Sequence, residues 1–419
     1  MKLDKTACSH AEEYLKLIGN ELNLSSEERF LLTHPSRVYT FNIPVRMDSG
    51  KVKMFNAYRV QYNDALGPTK GGIRFHPDID LEEVSTLAFL MSLKTSLSGL
   101  PFGGAKGGVE VDPKILSKGE LERLSRGYVR GLYPNLGPQK DIPAPDVYTT
   151  PQIMAWMLDE YETLSGGHAP AVITGKPLVL GGSRGRDVAT ALGGVFVLKD
   201  LMFRKNGKSL DCGLTVAIQG FGNAGLNAAE ILSEKGCRII AVSDSSGGLF
   251  DEKYGLPIHV LSKAKKSGTA LADISHDSLG NAKKISNEEL IELPCDVLIL
   301  AALGGQITMQ NAPRIKAQTV LELANAPITA EADTLLYKNG VYVVPDILAN
   351  AGGVIVSYFE WVQNLYGYSW TKEEVFSKLQ KQTAEVVNGI YARGENLRVC
   401  AYAKSVKRIL EAEQMRGRL

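Results

Sequence analysis

The sequence lacks the spacings that would hold a metal or a disulfide framework. Its five cysteines, at positions 8, 212, 237, 295 and 400, are odd in number and include no CxxC pair. That argues against zinc and against a secreted, cross-linked scaffold, and it fits a reducing, cytoplasmic setting. The six histidines show no HxH or HxxxH spacing, so no metal is predicted. A dominant charge is missing as well. A net charge of +1 over 419 residues leaves no electrostatic footprint for nucleic acid or an anionic membrane. No apolar run approaches the ~20 residues that span a bilayer. The opening stretch, MKLDKTACSHAEEYLKLIGNEL, has no apolar signal core and carries Glu12, Glu13 and Glu21, so neither a secretory signal nor a transit peptide is expected. Internal repeats and low-complexity tracts are absent.

Glycine is plentiful, with 42 residues, many of them in short clusters of the kind found where backbone approaches a ligand. The length suffices for two domains with separate cores. Helical spacing of Tyr14, Leu15, Ile18 and Leu22 predicts a helix over 10–24. Alternation in VYTFNIPV and VKMFNAYRVQY predicts strands on either side of the turn Asp48-Ser49-Gly50. Helices are expected over 81–98, 119–133 and 150–164, and LPFGGAKGG (100–108) reads as a loop. A second rhythm begins near Gly181. LTVAIQGFGNAG and RIIAVSD are followed by CDVLILAAL, TVLELA and VYVVPDIL, apolar runs separated by polar or helical stretches. That is βαβ logic and predicts an α/β fold with a parallel, doubly wound sheet. The last ~45 residues read as amphipathic helices.

Within this rhythm, Gly220, Gly222 and Gly225 supply GxGxxG between an apolar strand and a helix that carries Leu226, Ala229 and Leu232. The first glycine permits a tight turn, the second a close approach of backbone to a pyrophosphate, and the third close helix–strand packing. The helix N-terminus then offers N–H groups to the phosphates. Asp244 ends the next strand, near the offset expected for an acid on the adenosine ribose. Ser245 and Ser246 could instead accept a 2′-phosphate, which leaves NAD expected and NADP open.

Three lysines stand apart from ordinary solvated ones. Lys70 in GPTKGGIRF and Lys106 in LPFGGAKGG each precede two glycines, which would let a small molecule reach the ammonium. Lys94 sits among Phe89, Leu90, Met91, Leu93 and Leu97, where an unpaired charge is costly. Three converging cations suit a small dicarboxylate, and crowding with desolvation would lower a lysine's pKa toward a catalytic range. DIPAPD (141–146) reads as a proline-stiffened loop, with Asp146 as proton relay and Asp141 as a residue that caps or structures the turn.

At these residues the chain resembles the glutamate/leucine/phenylalanine/valine dehydrogenase family, most closely its glutamate-specific members. The resemblance runs from about residue 35 to the C-terminus through GPTKGGIRFHP, LPFGGAKGG, DIPAPDVYT, PQIMAWMLDEY, ITGKPLVLGGSRGRDVAT, QGFGNAG, VPDILANAGGVIVSYFEWVQN and RVCAYAKSVKRILEA. It implies oxidation of L-glutamate to 2-oxoglutarate and ammonia with NAD. It also implies roles for single residues. Lys70 and Ser357 would hold the side-chain carboxylate and Lys94 the α-carboxylate. Lys106 would be the catalytic lysine and Asp146 its proton shuttle. Thr190 and Asn223 would contact the cofactor, and Asn350 its nicotinamide end. The implied organisation is a substrate and oligomerisation domain over 1–180, a Rossmann-like domain over 181–359, final helices 360–419 returning to the first domain, and a homohexamer. Two departures stand out: Gly304-Gly305, where relatives usually carry asparagine second, and Ala326, where glycine is usual. A branched-chain or aromatic amino-acid dehydrogenase, and a catalytically weak regulatory paralogue that still binds cofactor, are the alternative readings. Lys70 speaks against the first of these, because an ammonium facing an apolar side chain would be desolvated without compensation.

Overall fold

The computed structural model describes residues 15–16, 18, 22–207, 210, 213–275, 279–391 and 396–419. Most of the helix expected over 10–24 therefore lies outside the described residues. The chain divides into two compact units. The first runs up to Arg186 and adds Val354–Ser377 and Tyr402–Leu419, whereas the second comprises Asp187–Gly353 and Lys378–Ala401. The C-terminal region is thus shared between the units, with 378–401 joining the second, where the sequence reading placed all of 360–419 with the first.

The first unit is built on a five-stranded sheet, β1 (Arg37–Arg46), β2 (Val52–Asn63), β3 (Thr69–His76), β4 (Gly103–Glu110) and β5 (Asp141–Pro145), in the order β1-β2-β4-β3-β5. β1, β2 and β4 pair antiparallel, while β3 lies parallel to both β4 and β5. One face is filled by Ile43, Val45, Phe55, Phe75 and Val109 against helices Lys118–Leu132 and Pro151–Ser165, through Leu124, Tyr128, Met154 and Met157. Local chemistry sets the helix starts. Ser117 and Glu120 form a reciprocal capping box, Asp80 accepts from the Glu83 amide, and Thr150 caps a helix that begins at Pro151. The second carboxylate oxygen of Glu120 accepts from the Asp48 amide (2.9 Å), which ties the β1–β2 turn to that helix.

From Gly103 on, LPFGGAKGG forms the inner strand β4 and not a loop, and its glycines serve packing. A Cβ on Gly104 would lie 2.2 Å from the Ser92 backbone nitrogen, and one on Gly107 would lie 2.2 Å from the Tyr128 hydroxyl. The sheet therefore admits helix Leu81–Leu97 and the Tyr128 side chain at distances only glycine allows. Likewise Gly71 and Gly72 are filled by Ala105 and by Asp146 with Pro145, so these glycines do not open the lysines to a ligand. DIPAPD is a strand as well: β5 ends at Pro145, and Asp146 follows it directly.

The second unit holds a seven-stranded sheet of β6 (Thr215–Gln219), β7 (Arg238–Asp244), β8 (Gly247–Phe250), β9 (Lys283–Ile285), β10 (Val297–Leu300), β11 (Thr319–Glu322) and β12 (Tyr342–Val344). Its order is β12-β11-β10-β6-β7-β8-β9. The five strands from β12 to β7 are parallel and correspond to the apolar runs read from sequence; β8 and β9 add an antiparallel edge that periodicity did not reveal. Strand order reverses between β6 and β10, and their carboxyl ends are where a doubly wound sheet binds its ligand.

Gly104→Ala drives a methyl into the backbone of helix Leu81–Leu97 and should cost about 1–3 kcal/mol of stability. Urea unfolding of the purified variant checks this, and an unchanged midpoint would contradict the packing role.

Candidate active site

β3, β4 and β5 carry the charged groups of the first unit. Lys70 lies opposite Gly104 on β4, and Lys106 stands two residues further along the same strand. Helix Leu81–Leu97 packs on Gly104 through Ser92 and carries the buried Lys94. The three lysines thus occupy neighbouring elements of one unit. Lys70 is 1% exposed, and it makes no hydrogen bond or ion pair to any described residue. Burial, aided by the repulsion of Arg186, pushes its ammonium well below the usual lysine range. Glu360 and Asp141 oppose the shift from beyond hydrogen-bond range, so a cation here still lacks a contacting anion.

Lys106 is equally buried but partnered. Its Nζ lies 2.6 Å from Asp146 Oδ2, which also accepts from Arg74 Nε at 3.0 Å. Burial lowers the Lys106 pKa while the Asp146 carboxylate opposes the shift. Burial alone would raise the Asp146 carboxyl, yet Lys106 and Arg74 overcome it and hold the group far below the ordinary carboxylate range. At neutral pH the pair is therefore a carboxylate facing a lysine that gives up its proton more readily than usual, and Nζ to Oδ2 is one short proton path. Arg74, four residues beyond Lys70, reaches on to Glu83. The Asp141 backbone closes the turn from Gly137, with both reciprocal bonds at 3.2 Å, while its side chain serves a buried pair. It receives a two-pronged ion pair from Arg59, Nε to Oδ2 at 2.8 Å and Nη2 to Oδ1 at 2.5 Å, with both side chains fully buried, and Gln61 adds a third bond at 3.0 Å. Ser357, on helix Gly352–Tyr366, is buried and accepts from Arg186 Nε at 3.1 Å. On the same helix Glu360 forms a fully buried pair with Lys176 (2.7 Å) and accepts from the Gly175 amide (2.9 Å).

The second unit presents the glycine-rich turn at the end of β6. Gly220 has φ +92°, and its Cβ direction is blocked by the Ala301 backbone at 2.6 Å. A Cβ on Gly225 would meet the Gly220 carbonyl at 1.9 Å, whereas Gly222 faces open space. Gly222 also precedes helix Asn223–Glu234 without a side-chain cap, so its first amides are open to an anion. Asn223 Nδ2 donates to the Asp187 carbonyl (3.1 Å), which puts the start of that helix beside the segment leading to Thr190 on helix Ala189–Asn206. Asn350 is buried. Its Nδ2 donates to Ala324 O (3.1 Å) and Asn325 Oδ1 (3.1 Å), while its Oδ1 has no partner among the described residues. An open glycine, an uncapped helix start and an orphaned buried carbonyl oxygen together fit a pyrophosphate and a carboxamide, as a nicotinamide dinucleotide requires. Asp244 is already engaged, holding Lys265 through an ion pair and accepting from the amides of Ser246 (2.8 Å) and Leu271 (3.2 Å).

Residues 181–417 match the Glutamate/Leucine/Phenylalanine/Valine dehydrogenase family, and 35–163 match the Glu/Leu/Phe/Val dehydrogenase dimerisation domain. The chain belongs to this family. It is 49% identical over 391 residues to the NAD-specific glutamate dehydrogenase of Staphylococcus aureus (strain COL), covering 92% of each chain. To a catabolic NAD-specific glutamate dehydrogenase of Bacillus subtilis (strain 168) it is 48% identical, over 92% of this chain and 90% of that one. Among solved structures it resembles a hetero-hexameric glutamate dehydrogenase from Thermus thermophilus in a leucine-bound form, with TM-score 0.92, 38% identity, and coverage of 100% of this chain and 98% of that chain.

Family membership frames the two departures. Gly305 has φ +65°, a region asparagine and glycine both tolerate, so glycine in place of asparagine leaves the backbone there unstrained. Ala326 has φ +44°, where glycine would be relaxed and alanine is strained. Its amide donates to Asp346 Oδ2 (2.9 Å), the Asp346 amide donates to Glu322 Oε2 (2.7 Å), and Glu322 Oε1 accepts from Arg398 (2.6 Å). Arg74, Arg186, Arg398 and the carboxylates of Glu322 and Glu360 were not singled out in the sequence. Arg74, Arg186, Glu360 and Arg398 do lie inside the matching stretches GPTKGGIRFHP, ITGKPLVLGGSRGRDVAT, VPDILANAGGVIVSYFEWVQN and RVCAYAKSVKRILEA, which is the available signal.

Two outcomes follow. Replacing Arg74 by Met removes a cation from Asp146, so the carboxyl pKa rises and the acid limb of the kcat/KM profile moves to higher pH. An unmoved limb would contradict the assignment. Burial, against the pull of Arg398, pushes Glu322 from 4.5 up to about 8. The folded chain then keeps a proton that the unfolded chain releases. This contribution to stability is full below about 4.5 and is lost as pH rises toward 8. Glu322→Gln should flatten the stability profile across that window, measured by denaturant unfolding at a series of pH values.

Proposed function

We propose that this chain catalyses the reversible, NAD-dependent oxidative deamination of L-glutamate to 2-oxoglutarate and ammonia. The observation that carries the reading is Lys70, an ammonium buried without a hydrogen-bonding or ion-pair partner among the described residues, as a substrate with a second carboxylate demands. Lys70 and Ser357 hold the side-chain carboxylate and Lys94 the α-carboxylate. Fixing both ends orients Cα, and that is catalysis by positioning. Lys106 Nζ activates the water that attacks the imine carbon, and Asp146 Oδ2 takes and returns the proton over their 2.6 Å contact. Thr190, Gly220, Gly222, Asn223, Gly225, Asp244 and Asn350 would hold the dinucleotide; the open space at Gly222 and the unpartnered Asn350 Oδ1 support the reading. NAD, when bound, supplies the hydride acceptor. The first unit is the substrate and oligomerisation domain and the second the dinucleotide domain, in a homohexamer in the cytoplasm. Among the described residues no helix is long and apolar enough to cross a membrane.

Lys70→Leu should lower kcat/KM for glutamate by about 10²–10⁴-fold, because a buried polar pocket loses its matched charge. Initial rates with glutamate and with leucine, each with NAD and with NADP, test it. Faster turnover of leucine than of glutamate by the unmodified enzyme would favour the branched-chain alternative and defeat this reading.

A further inference from the structure

A second concentration of cations in the first unit takes no part in the chemistry above. A cavity of about 500 Å³ is lined by Arg37, Lys140, Arg416 and Arg418, with Asp64 as the one lining carboxylate among the described residues. Asp64 is occupied on both oxygens, by Arg418 Nη1 at 2.7 Å and Arg37 Nη1 at 3.3 Å. The other two cations meet only backbone. Arg416 Nε donates to the Ala65 carbonyl (2.7 Å) and Lys140 Nζ to the Pro134 carbonyl (3.2 Å). Both terminal nitrogens of Arg416 are thus left without a partner among the described residues, and Arg37 keeps most of its donors. In formal charge the lining is four positive against one negative, and Arg418 Nη1 also reaches Glu413, outside the lining, at 3.4 Å. Guanidinium groups present planar pairs of donors that match oxyanions, and several around one cavity favour a ligand with at least two negative charges.

The cavity wall is also the root of two strands. Pro68 and Lys140, both lining it, directly precede β3 and β5, and the Thr69 amide donates to the Lys140 carbonyl at 2.9 Å. Lys70 follows Thr69, and β5 leads to Asp146.

We propose that this cavity is a binding site for a small, multiply charged oxyanion, held by Arg37, Lys140, Arg416 and Arg418 apart from the substrate lysines. A phosphate ester and a polycarboxylate share the required chemistry. The test is calorimetric titration of the intact enzyme, at fixed ionic strength, with inorganic pyrophosphate, ADP and citrate in separate arms. One set is run alone and one in the presence of saturating NAD. The structure predicts saturable binding that persists with NAD present and weakens about tenfold or more in K140A/R416A, with Arg416→Lys recovering part of the loss. Tight pyrophosphate or ADP with weak citrate identifies a phosphate ester as the natural class, and the reverse order a polycarboxylate. NAD binding by K140A/R416A, titrated in parallel, is expected to be unchanged and shows that the variant is folded. Three results overturn the proposal: no saturable binding in any arm, one-for-one displacement by NAD, or equal affinity in K140A/R416A. A change of oligomeric mass in that variant without anion binding by the unmodified enzyme also overturns it, since the cations would then serve a partner subunit.

Discussion

A buried ammonium that Glu360 and Asp141 favour only from a distance, with no hydrogen-bonding or ion-pair partner among the described residues, is the constraint around which the first unit is arranged. Most charges placed in this interior are matched. Arg59 is clasped by Asp141, Lys176 by Glu360, and Lys106 by Asp146. Lys70 has no such partner among the described residues, and its ordinary protonation is suppressed by burial and by Arg186. Leaving a charged form uncompensated costs several kcal/mol unless the group neutralises or a ligand arrives. A dicarboxylic substrate restores the missing anion, so binding and protonation of Lys70 are coupled. The matched pairs in the same unit satisfy their own charges, while Lys70 has no contacting anion among the described residues. That is the preorganisation a selective pocket needs.

Packing of the sheet makes this possible. Lys106 sits at the centre of a strand whose other side chains have been nearly eliminated. Gly103, Gly104, Gly107 and Gly108 let the Asn63 backbone, the helix at Ser92, Tyr128 and Val84 close onto β4 from both sides. The lysine stem is thereby enclosed, and its charged end meets Asp146 at 2.6 Å. Glycine here lowers strand propensity to gain close contact. The cost falls on a central strand that its neighbours on both sides support.

How much of this was legible in sequence depends on the range of the interaction. Helix Leu81–Leu97 and the turn after β6 were readable because their signals are local: a cap, a periodic apolar face, three glycines at fixed spacing. Lys70, Lys94 and Lys106 were readable because each has an unusual immediate setting. The partners were not. Arg59 and Asp141 are 82 residues apart, Lys176 and Glu360 are 184 apart, and no local pattern distinguishes such arginines and acids from surface ones. LPFGGAKGG misled because glycine enrichment normally marks loops, and only three-dimensional packing shows that the small residues are needed inside a sheet. The assignment of 378–401 to the second unit was likewise beyond amphipathic periodicity, which shows that a helix face is buried without showing against what.

The turn at Ala326 shows how a departure from family habit is accommodated. A left-handed alanine is disfavoured by about 1–2 kcal/mol relative to the right-handed form, a penalty glycine avoids. Here the same amide donates to a buried carboxylate, and a hydrogen bond to a charged group contributes about 1.5–3 kcal/mol. Asp346 can accept it only while its own position is held by Glu322, and both carboxylates, with Asp333, gather around the one guanidinium of Arg398. Burial, with the neighbouring Asp346 and Asp333 carboxylates, pushes Glu322 to hold its proton against the pull of Arg398. The conformation of the backbone turn at Ala326, four residues beyond the end of β11, is therefore tied to a charge network reaching to helix Leu397–Met415. Asn350 donates to Asn325, the residue preceding the strained alanine, so the orientation of its orphaned oxygen depends on that network too.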